Sequence, residues 1–84
     1  MIKILFFARI REELDCPGRE LRWEQGTADL DSLQARLCEE GGARWLEVLG
    51  RSNTIRAVNQ SVVAGNCPLA DGDEVAFFPP VTGG

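Results

Sequence analysis

The groups in this sequence that could do chemistry are few. Cysteines stand at 16, 38 and 67, acids cluster at Asp71, Asp73 and Glu74, and the chain ends Phe78-Pro79-Pro80-Val81-Thr82-Gly83-Gly84. There is no His, which removes the Ser-His-Asp triad, the Cys-His pair and any imidazole metal site. The cysteines are odd in number, widely spaced and form no CxxC pair. They read as three reduced, partly buried thiols of a cytoplasmic protein. The acids lack the twelve-residue, oxygen-spaced loop that an EF-hand needs, so they read as a solvated turn, with contact to a basic partner surface as the lesser alternative. Arg9, Arg11 and Arg56 read in the same way, as solvated charges that have a partner's acids as their other use. No metal site and no bound cofactor is expected.

The tail is the informative segment. Pro79 and Pro80 cannot donate ladder hydrogen bonds, so the strand before them ends there, and two prolines favour an extended path. The six residues from Pro79 to Gly84 span roughly 20 Å when extended. Gly83 and Gly84 carry no side chain and fit a channel that a β-carbon would block. The reactive group at the tip is the α-carboxylate of Gly84. A terminal Gly-Gly alone is a weak motif, and a frayed end is its plain explanation. A rigid Pro-Pro spacer joined directly to a core strand favours a working tail.

The elements that must hold this tail follow from the apolar pattern. The chain has 84 residues, 44% of them apolar, and a formal charge of −4 from nine basic and thirteen acidic side chains. That is one small domain, with residues 1–78 as its body and 79–84 as an extended tail of the same domain. A chain this short has little room for a buried multi-part catalytic site. Its acidic balance argues against nucleic-acid backbone binding, and no run of about 18 apolar residues marks a membrane span. The amino-terminal apolar run is broken by Arg9 and Arg11 and has no cleavage region, so it reads as a strand rather than a signal peptide.

Residues 2–8, IKILFFA, read as a central strand buried on both faces, because the apolar run is nearly continuous. Arg9–Asp15 reads as a charged connection to a second strand at 20–24, where Leu21 and Trp23 share a face. Leu30, Leu33 and Leu37 fall on one helical stripe, capped by Thr27 or Asp29 and stopped by Gly41-Gly42, which gives a helix over 29–40. A second helical turn over 43–49 would bury Trp45, Leu46 and Leu49 together. Strands follow at 54–59, 62–64 and 74–78, with turns at Asn59-Gln60 and Asp71-Gly72. Trp23 and Trp45 read as core or boundary aromatics. The class is α+β, a mixed sheet with one main helix packed on one face. If the first and last strands are neighbours they run parallel, which is the layout of a β-grasp, ubiquitin-like domain.

At this point the residues resemble a known family. DGDEVAFFPPVTGG at 71–84, with AVNQ at 57–60, PLADGDEV at 68–75 and IKILFFARIRE at 2–12, is similar to the MoaD family of small sulfur-carrier subunits of molybdopterin synthase. The resemblance spans the domain end to end and is strongest at its two ends. It implies that an E1-like activating enzyme spends ATP to adenylate the Gly84 carboxylate. Sulfur from a sulfurtransferase would then leave a thiocarboxylate there. The tail, with Val81, Thr82 and Gly83 lining the channel, would enter the active site of the large subunit and sulfurate a cyclic pyranopterin monophosphate to the molybdopterin dithiolene. Phe7, Val62 and Phe78 match positions that form an apolar patch against the large subunit and the activating enzyme. The chain would then be a donor within a heterotetramer, with the catalytic side chains on the large subunit, and the thiols would take no part. The alternatives are a carrier for another pathway, such as thiamine thiazole formation, a ubiquitin-like protein modifier, or an interaction module with an inert tail.

Overall fold

In the computed structural model, residues 1–80 are described. The sheet is built of β1 (Ile2–Phe6), β2 (Gly18–Leu21), β3 (Ile55–Val58), β4 (Ser61–Val63) and β5 (Glu74–Phe78), in the spatial order β2-β1-β5-β3-β4. β1 and β5 pair in parallel, Ile4 opposite Val75 and Phe6 opposite Phe77, and the other three pairings are antiparallel. The first and last strands are therefore neighbours, and β5 is the middle strand. The helices are α1 (Ala8–Leu14), α2 (Leu30–Gly41) and α3 (Ala43–Leu49).

α2 forms as its pattern dictates. Leu30, Leu33 and Leu37 are fully buried, and Asp29 is the cap, its carboxylate accepting from the Ser32 N–H at 2.7 Å. Thr27, the other candidate, caps instead the short 3-10 turn Gln25–Thr27. Its hydroxyl accepts from the Glu24 N–H and donates to the Arg22 carbonyl. Gly42, at φ 89°, ends α2 in a conformation that favours glycine. Ile2, Ile4, Phe6, Val75 and Phe77 alternate onto one face of the sheet and meet the leucines of α2 in a single core, which Ile10, Leu14, Trp45, Val48 and Leu49 complete. The Phe6 ring meets Trp45 edge-on at 5.3 Å and stacks on Phe77 at 5.9 Å.

Four expectations are corrected. The second strand runs Gly18–Leu21 rather than 20–24, so Trp23 lies beyond its end and is exposed instead of sharing a strand face with Leu21. The charged segment is not a connecting loop: residues 9–14 lie in α1, where Ile10 and Leu14, one turn apart, are buried, and Asp15 ends the helix. Two apolar residues in seven gave too thin a stripe to announce a helix. In α3, Trp45 and Leu49 are buried but Leu46 is 62% exposed, and Val48 takes the third core place. Most consequentially, β1 is not buried on both faces. Lys3 is exposed and Leu5 only half-buried, because every helical core residue joins the one cluster on the other face. The main helix on one face is thus as expected, with two short helices added to the same layer.

The carboxylates that hold this frame set its acid response. Ser32, through its backbone N–H and then its side chain, holds the Asp29 carboxyl below the usual range. The Ala70 N–H and then the Asn59 amide do the same for Asp73. A carboxyl lowered on folding contributes stability above its unfolded pKa, and that contribution is lost as pH falls through the folded value. No His titrates in between. Stability to urea is therefore expected to be nearly flat from about pH 7 to about pH 5 and to fall below about pH 4. Asp73→Asn should fall less steeply in acid, and an acid slope identical to the parent's would contradict the assignment.

Candidate functional site

Of the predicted site residues, Phe7, Val62 and Phe78 lie on the sheet face that no described helix covers. Alternation sends Lys3 and Leu5 of β1 away from the helices, and in β5 it sends Glu74, Ala76 and Phe78 the same way. Register then assembles rows across the strands. Leu5 stands opposite Ala76, Ala76 opposite Ala57, and Ala57 opposite Val62. Phe78 stands opposite Ile55. Phe7 continues the row, since its backbone is still extended and its N–H donates to the Phe77 carbonyl at 3.2 Å. Phe7 is 45% exposed, Val62 68% exposed and Phe78 half-buried. The three residues singled out from the sequence thus share one face, together with Leu5, Ile55, Ala57 and Ala76. Those four were missed, although the unbroken apolar run of β1 was a usable signal.

Phe78 is the last residue of β5, and Pro79-Pro80 carry the chain off the end of the middle strand. Val81, Thr82, Gly83 and Gly84 lie outside the described residues. Beside the prolines is a cleft of about 560 Å³ lined by Arg9, Glu13, Arg51 and Asn53 among others. Arg51 grips the Glu13 carboxylate with two hydrogen bonds, 3.0 and 2.7 Å, and Arg44 donates to the Glu13 carbonyl oxygen. The grip holds the Glu13 carboxyl below the usual carboxylate range and pushes the Arg51 guanidinium higher still.

The other reactive groups stand apart from this region. The three thiols are half-buried and free. Burial raises the Cys38 thiol, the wrong direction for a nucleophile. In the acidic turn, Asp71 pairs with the amino terminus and Asp73 accepts from the Ala70 N–H and the Asn59 amide. Asn59 accepts in return from the Glu74 N–H at 3.0 Å. The turn is a clip between the β3–β4 turn and the start of β5, and no group of acids, cysteines or histidines suited to a metal occurs among the described residues. Trp45 is a core aromatic with Arg19 over its ring at 4.4 Å, and Trp23 is an edge aromatic whose indole N–H donates to the Leu69 carbonyl. No helix among the described residues is long and apolar enough to cross a membrane.

Comparison with known proteins bears on the whole chain. The model of the ThiS family matches residues 4–84. The molybdopterin synthase sulfur carrier subunit of Escherichia coli is 43% identical over 84 residues, covering all of both chains. That of Haemophilus influenzae is 34% identical over the same full span. Among solved structures, a complex of subunits 1 and 2 of the molybdopterin-converting factor from Helicobacter pylori contains a similar chain. Its TM-score is 0.66 and its identity 32%, over 99% of this chain and 97% of that one.

One backbone position underlies the placement of Phe7. Ala8 sits at φ 53°, in the left-handed region, where the chain leaves the sheet plane to begin α1. An L-residue with a β-carbon pays about 1 kcal/mol or more there. Ala8→Gly is therefore expected to raise stability by about 0.5–1 kcal/mol, and Ala8→Val to lower it by more. A loss of stability in Ala8→Gly would contradict the left-handed turn.

Proposed function

This chain belongs to the ThiS family, and from that membership we propose that it is the sulfur-carrier subunit of a molybdopterin synthase. The full-length match to the sulfur carriers of E. coli and H. influenzae supports the pathway. The observation that supports the mechanism is where Pro79-Pro80 depart from the sheet. They lead off the end of the middle strand, at the border of an apolar face that no described helix covers. A partner seated on Phe7, Phe78 and Val62 would receive the tail without the domain having to rearrange.

The chemistry needs little else from the domain. A carboxylate is a poor electrophile, because its leaving group would be oxide. ATP, used by an E1-like enzyme, would convert Gly84 to an acyl-adenylate, and pyrophosphate would leave. Sulfur at the sulfide level, delivered by a sulfurtransferase, would displace AMP and leave a thiocarboxylate. That sulfur would bond to a carbon of the cyclic pyranopterin monophosphate in the large subunit as a carbon–oxygen bond there breaks, its oxygen leaving as water or staying with the opened phosphate ester, and hydrolysis of the resulting thioester would leave the sulfur on the pterin and return the Gly84 carboxylate. Two sulfurs per dithiolene would require two charged carriers or two visits. Gly83 and Gly84 would keep the tip thin, and Val81 and Thr82 would fill the channel behind it. The acid-base groups for these steps would belong to the partners, in keeping with a chain that has no His.

The test is intact and fragment mass spectrometry after incubation with ATP, an activating enzyme and a sulfur source. One oxygen exchanged for sulfur adds about 16 Da, nearly the same as oxidation of Met1 or a cysteine. The gain is therefore expected in the carboxyl-terminal fragment, absent when Gly84 is deleted and much reduced in Gly84→Ala. A terminus that remains a plain carboxylate with several competent activating systems would overturn the reading.

A further inference from the structure

The nine basic side chains of this chain are not equivalent. Arg19, Arg36, Arg51 and Arg56 each pair with a carboxylate, on Glu40, Glu24, Glu13 and Asp31. Arg44 is held by the Glu13 carbonyl oxygen at 3.0 Å. Lys3 stands opposite Glu74 in the sheet register. Arg9, Arg11 and Arg22 make no ion pair among the described residues, and of these Arg9 is the one that lines the cleft at the root of the tail. It is exposed, and it stands on the wall of the cleft that α1 provides.

The charge of this cleft is specific. Arg51 grips Glu13 at two points and Arg9 reaches the same carboxylate only through space, so the three side chains together leave the cleft one net positive charge. Asn53 and Thr54 add uncharged polar groups, and Pro79 and Pro80 complete the wall. A doubly charged phosphate would meet one free guanidinium and the Glu13 carboxylate at once. A single carboxylate matches the charge available. Whatever sits here lies against the first two residues of the tail, and a protein that takes up the tail must pass over this cleft or beside it.

We infer that Arg9, with the cleft it shares with Arg51 and Pro79-Pro80, receives an acidic side chain of the protein partner that accepts the tail. This rests on the carrier reading above and adds a charged contact to it, next to the apolar face and distinct from it. The apolar face supplies affinity. The Arg9 contact steers the approach and sets the direction in which the tail is presented, as charges at an interface rim do.

The experiment follows association with the large subunit by stopped flow, at about 0.02 M and about 0.5 M salt. It uses the parent chain, Arg9→Glu, Arg9→Gln and Arg11→Glu, with folding of each checked by circular dichroism. Arg9→Glu is expected to slow association about fivefold at low salt, and the difference should close at high salt. Arg9→Gln should lose a smaller factor, which keeps the test open if the charge reversal fails to fold. Arg11→Glu changes the same charge beside a separate hollow bounded by Asp15 and Pro17, and should remain within about twofold of the parent. Equal behaviour of the Arg9 and Arg11 variants, or none different from the parent, overturns the inference and leaves the carrier reading intact. Competition by about 10 mM inorganic phosphate against the parent but not against Arg9→Glu would also overturn it, by assigning the cleft to phosphate. Failure of the parent chain itself to associate would overturn the carrier reading and this inference together.

Discussion

The parallel pairing of β1 with β5 is the constraint on which the rest of the structure depends. It brings the two most apolar segments of the chain side by side, Ile4 against Val75 and Phe6 against Phe77. The first and last strands thereby lie in the interior of the sheet, and everything between them is one long crossover. Parallel neighbours need a crossover of a dozen residues or more, and here it carries β2, all three helices and the β3–β4 hairpin. The leucines of α2 then close the core over this pair. Loss of that pairing would remove the floor of the core and also the strand from which the tail departs.

A second consequence follows from size. The helices all pack on one face of the five-stranded sheet, so among the described residues the other stays open with Leu5, Phe7, Ile55, Val62 and Phe78 on it. Apolar side chains clustered on an open sheet face mark a place where another molecule completes the burial. The open face and the exit of the tail meet at Phe78. In the carrier reading this is a division of labour. A rigid sheet supplies recognition, while the chain beyond Pro80 supplies the reacting group. The same division accounts for a chain with no His and no metal-binding cluster among its described residues.

Much of this was legible in the residue pattern. The stripe Leu30, Leu33 and Leu37, with Asp29 before it and Gly41-Gly42 after it, specified α2 to within a residue at each end. The Asn59-Gln60 and Asp71-Gly72 turns were readable from Asn59 and Gly72, types that accept positive φ, whereas Gln60, also at positive φ, gave no such signal. α1 was not legible, because Ile10 and Leu14 alone carry its apolar face. α3 was legible as an element but not in its rotation, since Leu46 and Val48 are equally apolar and only packing against α1 and α2 decides between them. The open face was misread for a more general reason. A strand apolar on both sides is covered twice by its own chain or once by its own chain and once by something else, and one sequence does not distinguish these. Phe7, Val62 and Phe78 were reached through the family resemblance, while Leu5, Ile55, Ala57 and Ala76 required the strand register.

If recognition resides in the open face and reactivity in the tail, the two separate in a calorimetric titration of the large subunit with three chains: the parent, Phe78→Ser, and a chain lacking Gly83 and Gly84. Phe78→Ser should weaken binding more than removal of the two glycines does. Sulfur transfer should be abolished by the deletion and recovered by Phe78→Ser at high carrier concentration. Equal loss of binding and of transfer in both variants would contradict this division, because the face and the tail would then be acting as one inseparable unit.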